Sequence, residues 1–382
     1  MDRDPAFVAE CQALRRAVAA FSTLESLCSS PDWVMIEPRL RKVLGTVRRG
    51  QPPQPSPPPE QPDRVKVVHW NVEHGNWYLA VERALLGHEE LNDADLFMFN
   101  EIDLGMARAE NRDVTADLAR ALSLHWAWAP LFLETTLGRD DDERMAAGRD
   151  NAESLFGLGL LSRWPIGEVR ILELPSPEKY QFEVERMVGR HVALIATIER
   201  PRAPFVEVAA HLEVHRTRAH RAAQVREITR ALADETRPIV FAGDFNSHTF
   251  DRGRLWDPLL GAAVLMFTSD RGLEHRLLFP DHGPTREPLF DELRRAGFEW
   301  DRLVDRVPTL QLRFDRVDEL RAFPAFAQRG VCAALHWAER RGRLRLDWFA
   351  ARGWKGGRGF TVQGLDGHGR ASDHAPIVAE LW

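Results

Sequence analysis

Polar residues stranded at the ends of apolar runs are the first chemical signal in this chain. Residues 238–248 read PIVFAGDFNSH. Ile239, Val240, Phe241 and Ala242 form a short apolar run with β-branched members between Pro238 and Gly243. That pattern predicts a buried strand ending at a glycine turn. Asp244 and Asn246 follow at once. Two residues apart on an extended backbone, they point to the same side. The carboxylate can take a proton or bind a hard cation, and the carboxamide can donate to an oxyanion without adding charge. An Asx-rich turn that merely closes a strand explains the same letters, but the arrangement recurs. VKVVHW (65–70) leads into Asn71 and Glu73, and ADLFMFNEID (94–103) ends in Asn100, Glu101 and Asp103. FVEVAAH (205–211) ends at His211, RLRLDWFAARG (343–353) carries Asp347, and GRASDHAPIVAELW (369–382) supplies Asp373 and His374.

Oxygen ligands dominate this set and thiols are absent. It suits Mg²⁺ or Mn²⁺, hard cations that keep several waters and share their shell with a substrate phosphate. Two histidines among carboxylates suit proton transfer near neutral pH. The chain has no H-E-x-x-H spacing, Walker loop, dinucleotide fingerprint or G-x-S-x-G elbow. Nothing points to a covalent serine or cysteine nucleophile.

The elements that must position these residues follow from pattern. The 382 residues, 44% hydrophobic and 28% charged, fit one large domain with an appendage. Phe7, Cys11, Leu14, Val18, Phe21 and Leu24 fall at helical spacing, within a helical N-terminal extension over 1–49. GQPPQPSPPPEQP (50–62) reads as a Pro-rich linker, and the main domain spans 63–382. The helices either pack on that domain or dock an unidentified protein partner. Strands outnumber long helices and several are joined by short breaks, so the sheets should be antiparallel or mixed. Residues 138–151 read as a mobile charged loop with Asp140, Asp141 and Asp142 solvated, and 217–232 as a basic, solvated amphipathic helix. The segment 251–340 is the least regular. The glycine-rich stretch 354–360 reads as a loop near the site, with Arg352, Lys355 and Arg358 as candidate phosphate contacts and Trp354 as a stacking surface.

A net charge of −6 lacks the basic footprint of a duplex-binding domain. Cys11, Cys28 and Cys332 show no metal-ligand spacing, which argues against a disulfide framework or zinc knuckle and fits a reducing compartment. No secretory h-region and no membrane-length apolar run occur. The expected location is the cytoplasm, without stable membrane insertion.

Seven motifs in order extend the reading: Trp70-Asn71, Asn100-Glu101, LLSRWPI (160–166), HLE (211–213), GDFN (243–246), LDWF (346–349) and SDH (372–374). At these residues the chain resembles the endonuclease/exonuclease/phosphatase superfamily, which includes pancreatic-type deoxyribonucleases, apurinic endonucleases, neutral sphingomyelinases, inositol-polyphosphate 5-phosphatases and deadenylases. The resemblance implies an α+β fold: a four-layer sandwich of two β-sheets, mostly antiparallel or mixed, with helices outside and the site at one edge. It implies Mg²⁺-assisted attack of water on a phosphate ester, nucleic acid being one such substrate. By the same resemblance, Glu101 is the principal metal ligand, and Asn71, Asp373 and Glu73 help hold the metal or its waters. Asp244 orients or deprotonates water, Asn246 donates to the phosphoryl oxygen, and His374, oriented by Asp347, stabilises the transition state or passes a proton. His211 contacts the phosphate or leaving group. The competing expectations are a phosphatase or phospholipase-type enzyme on a small metabolite or lipid head group, and a catalytically silent scaffold.

Overall fold

The computed structural model describes residues 3–56, 63–138, 141–176, 178–252, 257–311, 337, 340–366 and 371–382. Cys332 and Asp140 lie outside these residues, as does part of the linker. The strands are β1 (Arg48–Gly50), β2 (Val65–His74), β3 (Leu96–Leu104), β4 (His125–Glu134), β5 (Leu155–Ser162), β6 (Ile166–Glu173), β7 (Met187–Gly189), β8 (Val192–Ile198), β9 (Phe205–His211), β10 (Ile239–Asp244), β11 (Leu310–Gln311), β12 (Arg343–Leu344), β13 (Asp347–Arg352), β14 (Gly357–Thr361) and β15 (Ile377–Leu381). The larger sheet has the order β1-β4-β5-β3-β2-β15-β14, with β7 also on β4, and the smaller one β13-β10-β9-β8-β6. Within these two sheets, β2–β3 and β9–β10 are parallel and the other pairs antiparallel.

Strand alternation builds the layers. Val65 and Val67 of β2, with Leu96 and Met98 of β3, meet Val240 and Ala242 of β10 in the core between the sheets. Their neighbours Val68, Trp70, Phe97 and Phe99 face outward, toward the helices Tyr78–Gly87 and Val114–Leu122. On the smaller sheet Val206, Val208 and Phe241 pack with Val225 and Ile228 of the helix Arg218–Ala231. Helices outside, sheets inside: this is the expected four-layer sandwich. Among the described residues no helix is long and apolar enough to cross a membrane.

The N-terminal helices pack on this body. Cys11, Leu14 and Val18 of the helix Pro5–Ala19, and Ile36, Leu40 and Val43 of the helix Trp33–Leu44, join the outer core of the larger sheet. Immediately afterwards β1 adds to the edge of β4.

Four local expectations are corrected. Gly243 is no turn but the fifth residue of β10. A Cβ there would stand 1.8 Å from the Ala210 carbonyl oxygen of β9, so glycine permits close strand approach. Residues 357–361 form β14 rather than a loop. Their neighbours Arg352 and Trp354 lie at the far end of β13 from Asp347, because Ile239 pairs Arg352 while Asp244 pairs Asp347. Five residue steps separate the two ends, roughly 17 Å. Arg352 donates to the Ala296, Leu232 and Glu235 carbonyls, Trp354 Nε1 to Ile239 O, and Arg358 pairs with Glu380. None of the three faces the candidate site. The basic helix is amphipathic as expected, with Arg226 and Arg230 exposed, but Arg221 is fully buried on Glu287 at 2.7 Å. Lastly, the charged loop contains a helix, Asp141–Ala146, tied down by Asn76 Nδ2 (3.0 Å) and Arg108 Nη1 (3.2 Å) donating to Asp142.

The fit at Gly243 sets a prediction. Gly243→Ala should destabilise the protein by at least about 1–3 kcal/mol, the usual cost of overpacking, as a lowered midpoint in chemical denaturation. An unchanged midpoint would contradict the close approach of β9 and β10.

Candidate active site

The parallel strand pairs carry the site on their C-terminal ends. Asn71 of β2 registers with Asn100 of β3, and Asp244 of β10 registers with His211 of β9 and with Asp347 of β13. The two sheets are stitched together here. Asn100 Oδ1 accepts from Asp244 N at 2.7 Å. Asn71 Nδ2 donates to Glu101 Oε1 at 3.0 Å and to Asp244 Oδ2 at 3.3 Å.

Local backbone distortion aims these side chains. Glu73, His74, Glu101 and Asn246 all have positive φ, from 45° to 66°, which is uncommon for residues other than glycine. The register of β2 slips between Asn71 and His74, and that of β3 against β5 slips between Phe99 and Ile102. Such irregularities re-aim side chains at strand ends. Asn246 also leaves the extended path assumed from sequence. Its N–H donates to Asp244 Oδ1, and its Nδ2 donates to Leu212 O at 2.7 Å. An amide nitrogen has two hydrogens, so the Leu212 bond uses one of its donors.

Six of the nine candidates form one connected network. His211 Nε2 lies 3.7 Å from Asp244 Oδ2 and 4.0 Å from Glu101 Oε1. His374 Nε2 lies 3.8 Å from Asp244 Oδ2, and its Nδ1 is 2.8 Å from Asp347 Oδ2. Glu73 and Asp373 join Glu101 along an adjoining cleft of about 250 Å³, which Glu134, Asp142, Glu185, His74 and Arg108 also line.

Burial sets the charge states. For Glu101, burial pushes the carboxyl up, but His74 and His211 beside it, with the Asn71 donor, outweigh this and hold it below the usual range. Asp244 goes the other way: burial and the neighbouring Asp347 carboxylate raise it, against His374 and His211. Asp347 is lowered, because His374 and His69 outweigh its burial. His374 is raised well above the ordinary imidazole range, since Asp347 outweighs desolvation. Neighbouring carboxyls of one site are thus split, one favouring its proton and one refusing it, as acid–base chemistry requires.

Several contributors escaped the sequence reading. His69 was a letter inside an apolar run, and Asn100 was read as a polar strand end without a role of its own. Asp103, given no role from sequence, is buried on Arg108 at 2.7 Å. That same guanidinium pairs with Glu134 and Asp142. His74 bridges Glu101 (3.5 Å) and Asp103 (3.7 Å) and is raised to about 9, those carboxylates prevailing over burial and Arg108. Only the tendency of Asn71, Glu73 and His74 to follow one another after a strand hinted at this.

The donor set fits a hard divalent cation. Asn71 Nδ2 already draws the Glu101 and Asp244 oxygens toward one point, the convergence of oxygen donors such an ion needs. Ligand atoms of Asp244, Asp347 and His374 also lie within 4.8 Å of one another. Asp347 and His374 spend theirs on each other, and a protonated imidazole cannot ligate a metal, so this trio serves charge and proton placement.

The model of the endonuclease/exonuclease/phosphatase family matches residues 68–374. The chain belongs to that family. Its members are phosphoester hydrolases and generally depend on a divalent metal, so the protein is an enzyme of the phosphoester-hydrolase class. No curated protein matches the sequence. Similar solved structures include an endonuclease/exonuclease/phosphatase from Beutenbergia cavernae DSM 12333, at 17% identity over 84% of this chain and 71% of that one, with a TM-score of 0.44. A functionally unknown conserved protein from Enterococcus faecalis V583 matches at 16% identity, covering 83% and 99%, TM-score 0.47. The 3′ phosphatase NExo from Neisseria, bound to a product DNA hairpin, matches at 16%, 83%, 99% and 0.47 on the same measures.

The Asp347–His374 pair yields a pH prediction. With its value raised, His374 contributes stability fully below about pH 6.5 and loses it as pH rises through the folded value. With its value lowered, Asp347 contributes above about pH 3.9 and loses it as pH falls. The tie therefore holds from about pH 4 to beyond neutrality. Asp347→Asn should cost roughly 3–5 kcal/mol near pH 6, the usual result of unpairing a buried ion, with the deficit shrinking below about pH 3.9. Denaturation midpoints across pH check this; a deficit that does not change with pH would contradict it.

Proposed function

We propose that this protein is a divalent-metal-dependent phosphodiesterase that hydrolyses compact phosphate esters by direct attack of water. The observation that carries the reading is the convergence of Asn71, Glu101, His211, Asp244, Asp347 and His374, from five separate strands and the segment before β15, on one network. A phosphate diester resists nucleophiles because it is anionic. Mg²⁺, or Mn²⁺ in its place, supplies Lewis-acid polarisation of a non-bridging oxygen when bound. Glu101, kept ionised by its imidazole neighbours, would hold it, with Asn71, Glu73 and Asp373 beside it.

The remaining roles follow from charge state. Asp244, with its raised proton affinity, orients the attacking water and takes its proton. His374, held cationic by Asp347, faces the developing phosphoryl charge and can protonate the leaving oxygen. His211, whose Nε2 lies 3.7 Å from the same Asp244 oxygen that His374 faces, serves the phosphate or leaving group, and Asn246 lends an amide donor. The cleft selects among esters. Its walls bring together seven acids, Glu73, Glu101, Glu134, Asp141, Asp142, Glu185 and Asp373, against the two cations Arg108 and His74, a net negative field that repels a polyanion. A small diester or a lipid head group fits this better than a nucleic-acid strand. The free thiols Cys11 and Cys28 fit a reducing compartment, the cytoplasm.

The test is a substrate panel with Mg²⁺, Mn²⁺ or chelator: bis(p-nitrophenyl) phosphate, inositol phosphates, sphingomyelin, and single- and double-stranded oligonucleotides. Small diesters should turn over only with metal, and faster than oligonucleotides. Asp244→Ala and His374→Ala should each lose about 10²–10⁴ in rate while remaining folded. Wild-type rates in either folded variant would refute the assignment.

A further inference from the structure

β2 carries a histidine where its pattern calls for an aliphatic residue. Alternation sends Val65, Val67 and His69 toward the smaller sheet. Val65 and Val67 pack there among Leu96, Met98 and Ala242. His69 takes the next place on that face, fully buried, with Met98 and Ile377 as its register partners. Its ring reaches across the interface between the sheets: Nε2 lies 3.0 Å from Asp347 Oδ1, while the buried Nδ1 has no hydrogen-bond partner among the described residues. Leaving a buried ring nitrogen unpaired is unfavourable, and valine or leucine would avoid it. The contact with Asp347 is what the imidazole gains. A carboxylate only accepts, so Nε2 carries the proton.

Asp347 is thereby gripped on both oxygens. Oδ1 accepts from His69 and Oδ2 from His374 Nδ1 at 2.8 Å. The next residue of β2 completes the clamp, since Trp70 Nε1 donates to His374 O at 2.9 Å. One strand therefore fixes the backbone of His374 directly and its ring through Asp347. With Nδ1 engaged, His374 presents Nε2 toward Asp244.

We propose that His69 is a positioning residue for the hydrolytic reaction: by occupying Asp347 Oδ1 it stops the carboxylate rotating and keeps the His374 ring in the one orientation that faces the phosphate. The kinetic part of this inference rests on the hydrolase reading above; the hydrogen-bond part does not. The position was invisible in sequence, because a lone histidine in an apolar strand gives no sign of its partner 278 residues away.

Two variants of the full chain test it. His69→Leu removes the donor and keeps apolar bulk, and His69→Gln returns an N–H at similar reach. Steady-state kinetics on bis(p-nitrophenyl) phosphate with Mg²⁺, thermal melting, and proton NMR of the downfield imidazole N–H region are measured on each. His69→Leu should lower kcat about 10–100-fold, the usual cost of losing a supporting hydrogen bond, with KM within about twofold; His69→Gln should recover most of the loss. The wild type should show exchange-protected imidazole N–H signals from both His69 and His374, of which His69→Leu loses the first and shifts the second. A folded His69→Leu with wild-type kcat and an unmoved His374 signal overturns the proposal. Should the leucine variant not fold, the His69→Gln spectrum decides: loss of one protected imidazole signal present in the wild type supports the clamp, and an unchanged set of signals contradicts it. Failure of the hydrolase reading looks different: both signals present, but no turnover by the wild type.

Discussion

Two buried carboxylates set the terms for the rest of this molecule. Asp244 and Asp347 are register partners on adjacent antiparallel strands, both almost wholly inaccessible to solvent. Two like charges in that position are mutually unfavourable, and neither can remain ionised without compensation. The fold supplies it unequally. Asp347 receives two imidazoles and stays charged; Asp244 shares His211 and His374 with other groups and is driven toward its proton. That inequality is also what a hydrolytic site needs, since one carboxyl must hold a charge and another must exchange a proton.

The sandwich exists to hold this difference in place. Each strand that delivers a polar group is apolar along the rest of its length and is locked between an inner and an outer core. The polar ends then meet where the sheets meet, joined by Asn71, Asn100 and His69 across the gap. The strained backbone at Glu73, His74, Glu101 and Asn246 is tolerable because rigid strands hold both sides of it. The acidic cleft lies just outside, where Arg108 gathers Asp103, Glu134 and Asp142 and keeps the helix Asp141–Ala146 against the rim.

How much of this was legible in the sequence depends on whether the signal was local. Apolar runs ending in Asn71, Glu101, His211 and Asp244 announce both a strand and a polar end, so the sheets and the core of the site were readable. The N-terminal helices were readable as helices, but not their packing, since an amphipathic face does not name its partner. The glycine-rich stretch 354–360 was misread because glycine marks loops and tight strand packing alike; at Gly357 and Gly359 it admits Leu303 against the strand. Arg352 and Trp354 were misassigned because chain proximity to Asp347 conceals that a strand carries its two ends apart. His69, His74 and Arg108 act through residues remote in sequence or through irregular backbone, and no periodicity encodes either.

The central claim is that the strand-end oxygens of the two sheets converge on one divalent ion. Anomalous diffraction from a crystal soaked in Mn²⁺ tests it most directly. The account predicts a peak within about 2.5 Å of a Glu101 carboxylate oxygen, the range of such bonds, on the side facing Asp244. Manganese bound only elsewhere, for instance at the cluster of Asp281, His282 and Asp301, with none at Glu101, would contradict it.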